Sequence, residues 1–266
     1  VMSIIESERS ELFKRSLAYW QQKIITLPPA PELPLAISPS ALKEPEFKRF
    51  QSQLSAAKWQ RLKAVAGQKG LTTTAAYAEV LTLWSKSPRF TINVPRFNRL
   101  PLHPQVNEII GEFASFSLLE VDNSGNESFE IRAQRLQRQL WQDLDQQYVS
   151  GVRVLREISR IQKLDAGSIN FPIVFTTAPQ SVVQENDSQT GDSQTKGSLG
   201  SLGNLVDMLS QTPQVWLDNQ HIEEVDGSLD FNWDIVEDLF PSGMMDTMFN
   251  AYCQLLNNLA DHDWAW

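Results

Sequence analysis

Cysteine is almost missing from this chain. Cys253 stands alone in 266 residues, which excludes an internal disulfide framework and any cysteine-rich metal site. The three histidines, His103, His221 and His262, lie far apart and without ligand spacing, so no metal is expected. No apolar run approaches the ~20 residues of a membrane span, and no membrane partner is expected. The opening VMSIIESERSELFKR turns charged too early for a secretory leader. With so little cysteine, the cytoplasm is the expected compartment. Blocks of Lys and Arg are missing too, and the net charge is −9, which argues against a nucleic-acid partner. There is no Gly-rich phosphate loop, no Walker motif, no GxSxG elbow and no internal repeat.

What is present is enough for a core. Hydrophobic residues make up 41% and charged residues 21%, which suits one large domain or two modest ones. Helical spacing runs over Glu6–Ile25, where Leu12, Leu17, Trp20 and Ile24 share a face. The prolines of LPPAPELPL, Leu27–Leu35, then force an extended crossing. Phe47–Leu54 alternates weakly as a strand. Ser55 caps a helix through Gln68, and Gly70 separates it from a second helix over Thr74–Trp84. Phe90–Phe97 is a strand that Pro95 is expected to bulge or end, and Ile109–Asp122 contains another. Phe129–Gln147 carries the strongest apolar stripe, with Phe129, Ala133, Leu136, Leu140 and Leu144 in register. A break at Tyr148–Gly151 precedes a helix over Val152–Ile161, whose Arg153 and Arg156 are expected to bind structural carboxylates. The β-branched run Ile169–Thr177 is a buried strand, Gln180–Gly203 a mobile polar loop, and Leu229–Trp233 a further strand. A last helix follows Gly243 to about Ala260, with Met248, Tyr252, Leu255 and Leu259 on its core face. Helices alternating with strands in this order predict an α/β sandwich, a mixed sheet flanked by helices.

One stretch stands apart. In SQTPQVWLDNQ, Ser210–Gln220, alternation puts Val215, Leu217 and Asn219 on one face and Gln214, Trp216, Asp218 and Gln220 on the other. Two readings of Asp218 follow. It is either a strand-end carboxylate facing water, or a desolvated one whose raised pKa suits a group that takes and returns a proton.

Six segments decide between them by resemblance. They are LPPAPELPL (Leu27–Leu35), FTINVPRFNRLP (Phe90–Pro101), GEFASFSLLEVD (Gly111–Asp122), QRQLWQDLDQQYVSGVRVLREISR (Gln137–Arg160), FPIVFTT (Phe171–Thr177) and SQTPQVWLDNQ (Ser210–Gln220). In this order and spacing the chain resembles the C-terminal half of a heterocyclization domain, the cyclizing variant of the condensation domains of nonribosomal peptide synthetases. The resemblance implies a chloramphenicol-acetyltransferase-like fold in which two lobes form a V around a tunnel. It implies that residues 1–26 form an inter-lobe helix and 27–266 the C-terminal lobe. The Asp-rich DxxxxDxxS motif of the N-terminal lobe does not occur here.

The implied reaction condenses a carrier-bound acyl thioester with a carrier-bound Cys, Ser or Thr and then cyclodehydrates the product to a thiazoline or oxazoline. Carried over by motif, the catalytic pair is Asp218 and Thr176, with Asn98, Trp216 and Gln214 along the substrate tunnel. No cofactor is implied for the lobe itself; its substrates arrive on the phosphopantetheine of upstream and downstream peptidyl carrier proteins. The other implied partners are an N-terminal condensation lobe and a neighbouring adenylation domain. The chain departs from the family at Ala114, where threonine is usual, at Gln146, where histidine is usual, and at Thr177–Pro179. Two alternatives remain: a non-catalytic docking or scaffold lobe, and a lobe that forms amides only.

Overall fold

Helix starts follow the small polar residues that cap them. In the computed structural model, Ser10 Oγ accepts from the backbone N–H of Phe13 at 3.1 Å and opens α1, Glu11–Lys23. The structure describes residues 10–69, 73–97, 99–100, 103, 105–111, 113–163, 169–178, 209, 212 and 214–266. Residues 6–9 of the expected first helix, the loop Gln180–Gly203 and Asn98 lie outside them.

After α1 come β1 (Phe47–Leu54), α2 (Ala56–Lys69), α3 (Thr73–Trp84), β2 (Arg89–Phe97), β3 (Ala114–Asp122), α4 (Phe129–Asp145), α5 (Gly151–Gln162), β4 (Ile173–Ala178), β5 (Leu217–Glu223), β6 (Leu229–Val236) and α6 (Met244–Asp261). The strand order is β1-β6-β5-β4-β2-β3. β2 and β4 pair in parallel, whereas β2–β3, β1–β6 and β5–β6 are antiparallel. The sheet is therefore mixed, as the alternation of elements predicts.

The chain divides into two compact units. The first comprises residues 1–34, 66–175 and 266. Its core joins Trp20 of α1 and Ile24, the residue that caps its end, to Leu118 of β3 and to Val154 and Ile158 of α5. The proline run crosses to β2, where the N–H of Thr91 donates to Pro29 O at 2.8 Å and its hydroxyl to Pro28 O at 2.7 Å. Lys23 Nζ reaches both carboxylate oxygens of the fully buried Asp143 at 2.6 Å, and Tyr19 and Gln139 donate to the same carboxylate. The Nη2 of Arg153 meets Glu157 at 3.2 Å, the structural carboxylate expected for it. Ser150 caps α5, which starts one residue earlier than expected, at Gly151. A Cβ on Gly151 would fall 2.5 Å from the Phe116 ring and 2.6 Å from its carbonyl oxygen, so the close approach requires glycine.

Pro95 does not interrupt β2. Its register partner is Phe116, and pairing continues to Phe97 opposite Ala114. Only alternate pairs of an antiparallel ladder exchange hydrogen bonds, so a proline fits at a position that donates none. β4 starts at Ile173, later than its apolar pattern suggests. Pro172 has no donor to give a ladder, and Ile169 and Phe171 pack against the core of α1 and α5 instead.

The second unit comprises residues 35–65 and 176–265. β6 pairs with β1 along its whole length, Phe47 opposite Val236 through Leu54 opposite Leu229, which carries it three residues past the expected end at Trp233. α6 lays Met245, Met248, Phe249, Tyr252, Leu256 and Leu259 into the core, at helical spacing. Leu256 takes the core position expected for Leu255, which is half-buried. The Trp233 ring lies 5.4 Å from that of Phe249 and 5.6 Å from that of Tyr252, centroid to centroid. Tyr252 OH also lies 2.8 Å from His221 Nε2. Among the described residues, no helix is long and apolar enough to cross a membrane.

Candidate active site

Alternation along β5 and β6 separates two chemistries. Leu217, Asn219 and His221 of β5 and Phe231, Trp233 and Ile235 of β6 take one face. Phe231 and Trp233 meet the aromatic rings of α6 there, and His221 meets Tyr252. Asp218 and Gln220 of β5 take the other face, opposite Asp234 and Asn232 of β6. β1 brings Arg49 opposite Asp234 and Gln51 opposite Asn232. A period of two on three paired strands thus collects polar side chains on one side.

These side chains hold one another. Thr176 Oγ1, near the end of β4, donates to Asp218 Oδ1 at 2.8 Å. Gln220 Nε2 donates to Asp218 Oδ2 at 2.7 Å and to Asp234 Oδ2 at 3.2 Å. Its carbonyl end, Oε1, accepts from Asn232 Nδ2 at 3.2 Å. Arg49 then grips Asp234 with two bonds of 2.6 Å, Nε to Oδ1 and Nη2 to Oδ2, the bidentate geometry that gives an Arg–carboxylate pair its strength. Every one of these residues belongs to the second unit.

Asp218 is 7% exposed and Asp234 1%. Two carboxylates in opposite register, both nearly out of water, are costly unless donors meet them, and the amide and the guanidinium are those donors. The solvated reading of Asp218 is therefore excluded. A buried carboxylate with a hydroxyl on one oxygen and an amide on the other can hold a proton acceptor at a fixed orientation beside a reacting group.

The expected proximity of Thr176 and Asp218 is met. Trp216 is half-buried just ahead of β5, with its carbonyl accepting from the N–H of Val236 at 3.0 Å. Gln214 is exposed in the preceding turn. Alternation alone puts Gln220 on the Asp218 face without giving it a role, and Asn232, Asp234 and Arg49 are the members that sequence reasoning missed. For β6 the signal is the alternation of Asp230, Asn232 and Asp234 with Leu229, Phe231, Trp233 and Ile235, cut short by an expected strand end at Trp233.

Among the described residues, no cluster of three or more His, Cys, Asp or Glu side chains is arranged to hold a metal.

The pattern of the condensation domain matches residues 3–263. Pyochelin synthetase PchF of Pseudomonas aeruginosa is 37% identical over 262 residues, 97% of this chain and 14% of that protein. Phenyloxazoline synthase MbtB of Mycobacterium tuberculosis is 34% identical over 251 residues, 93% of this chain and 17% of that protein. Among solved structures, the EpoB NRPS cyclization-docking bidomain from Sorangium cellulosum superposes with a TM-score of 0.81 at 41% identity, covering 98% of this chain and 51% of that one. The chain thus spans a small part of these synthetases and about half of the bidomain.

Proposed function

The chain belongs to the condensation-domain family, and from that premise we propose that it is the catalytic-residue-bearing C-terminal lobe, residues 27–266, of a heterocyclization domain. The observation that carries this reading is the 2.8 Å bond from Thr176 Oγ1 to Asp218 Oδ1, made between the two motifs of the cyclizing branch. The names of the similar proteins support it: a phenyloxazoline synthase and a cyclization bidomain.

The reaction has two stages. The amine of a carrier-bound Cys, Ser or Thr attacks the carbonyl carbon of the upstream thioester, and the upstream carrier's phosphopantetheine sulfur leaves as a thiol with the amine's proton, forming an amide. The side-chain thiol or hydroxyl of that residue then adds to the amide carbonyl carbon. The carbonyl oxygen becomes a hydroxyl, which leaves as water; loss of the nitrogen's proton completes the C=N bond of the thiazoline or oxazoline. Asp218 passes the proton of the attacking thiol or hydroxyl to the carbonyl oxygen, then takes the nitrogen's proton and returns it to the departing hydroxyl. General acid–base help of this kind contributes roughly 10²–10⁴-fold. The Thr176 hydroxyl, bonded to Oδ1, orients the carboxylate and stands within reach of the reacting oxygen. Trp216 and Gln214 line the tunnel in this reading; Asn98, the third tunnel residue implied by the resemblance, lies outside the described residues. The N-terminal lobe supplies the tunnel's other wall, carrier proteins deliver the substrates on phosphopantetheine, and an adenylation domain is a neighbouring partner. A chain with one cysteine needs no oxidising compartment, which suits the cytoplasm.

The test is Asp218→Asn in the synthetase that contains this chain, given an acyl thioester upstream and carrier-bound cysteine downstream. Mass spectrometry separates amide from ring by the mass of one water. The variant is expected to accumulate uncyclised amide. Ring formation at the wild-type rate would refute the assignment.

A further inference from the structure

The carboxylate at the centre of the site is held by a second tier that the two cyclizing motifs do not explain. Asp218 and Asp234 occupy opposite register positions on β5 and β6. Like charges directly opposite repel. Here three groups stand against that repulsion. Gln220 puts its Nε2 between the two, with one hydrogen to each carboxylate. Asn232 donates to Gln220 Oε1 and so sets which end of the amide faces the acids. A reversed amide would place an oxygen against two carboxylate oxygens. Arg49 closes the row from β1 with two bonds to Asp234.

We propose that Gln220, Asp234 and Arg49 are positioning residues for Asp218. Arg49 anchors the Asp234 carboxylate with two bonds, and Gln220 bridges it to Asp218 and fixes the Asp218 carboxylate. The negative charge of Asp234 and the donor of Gln220 thus act on Asp218 in opposite directions. This inference rests on the reading of Asp218 as the acid–base group. It adds the device that holds the working acid in place beside a second carboxylate.

Among the described strand residues, the charged groups on this face are few. β5 contributes Asp218, β6 contributes Asp230 and Asp234, and β1 contributes Arg49. β4 adds the Thr176 hydroxyl and no charge. Asp230 lies opposite Ile222, four residues along β6 from Asp234, and accepts from Gln53 Nε2 at 2.7 Å. It is common to every variant below.

The test follows the titration of Asp218 directly. Carboxyl-carbon NMR of the full chain labelled at aspartate, with the Asp218 signal identified by its loss in Asp218→Asn, is compared between wild type and two variants. Gln220→Met keeps the side-chain length and removes the donor to the charged carboxylate. The Asp218 midpoint is expected to rise by about one pH unit, since losing a hydrogen bond to the charged form favours the neutral one. Asp234→Asn removes the neighbouring negative charge and leaves the guanidinium of Arg49, so the midpoint is expected to fall. A thermal melt of each variant confirms folding, and Gln220→Leu replaces Gln220→Met if the thioether disturbs packing. Opposite shifts support the inference. Unchanged midpoints, or shifts of one sign in both variants, overturn it. Ring formation by the same wild-type sequence within its synthetase is measured separately. Absence of a ring with opposite shifts sinks the heterocyclization reading and leaves the three residues as the positioning set of Asp218.

Discussion

Acidification should loosen the face of β5 that lies behind the site. His221 is 4% exposed, sits between Phe231 and Tyr252, and has its Nε2 2.8 Å from Tyr252 OH. Burial pulls its pKa from 6.5 down to about 3, because the imidazolium has lost its water. Below pH 6.5 the unfolded chain takes up a proton at this position and the folded chain does not. Stability is therefore full above 6.5 and falls as the pH is lowered towards 3. The slope is about 1.4 kcal/mol per pH unit, hence roughly 3 kcal/mol by pH 4.5. That is a large share of the 5–15 kcal/mol typical of a domain. The assay is urea unfolding at a series of pH values, for wild type and for His221→Phe. The phenyl ring keeps the aromatic contacts but leaves Tyr252 without this partner, so the variant starts about 1–2 kcal/mol less stable at pH 8. It carries no imidazole to protonate, so the two stability curves should converge and then cross as the pH falls. Curves that stay parallel from pH 8 to pH 4 would refute the argument.

Two further outcomes can be checked in the same way. Lys23→Met should destabilise the first unit by about 3–5 kcal/mol, because Asp143 is fully buried and would lose its cation, while burial already pulls Lys23 down and pushes Asp143 up. The double variant Lys23→Met/Asp143→Leu should recover part of that loss, and chemical denaturation of both decides it. Gly151→Ala should cost about 1–3 kcal/mol of overpacking against the Phe116 ring and backbone, visible as a lower melting temperature; a variant as stable as wild type would show that α5 can move away.

The two faces of β5 explain why part of the site was legible and part was not. Periodicity alone separated Leu217 and Asn219 from Asp218 and Gln220, because side chains alternate on a strand whatever it pairs with. The family motifs then chose Thr176 and Asp218, and a bond of 2.8 Å joins them. The second tier was out of reach for a different reason. Arg49 is 185 residues from Asp234 in the chain, and nothing local in FKRFQSQL says that its partner is LDFNWDIV. An alternating polar residue also looks the same whether water or another strand's carboxylate awaits it. The ladder between β1 and β6 supplies that missing partner, and the apolar face sets its register. A slip by one residue would carry Trp233 out from under α6 and Asp234 into the core. The aromatic packing of Trp233, Phe249 and Tyr252 therefore holds the carboxylates in place from the far side of the sheet. For the same reason the polar row cannot be shifted without taking the core with it, and the acid–base geometry at Asp218 depends on hydrophobic contacts that touch none of its atoms.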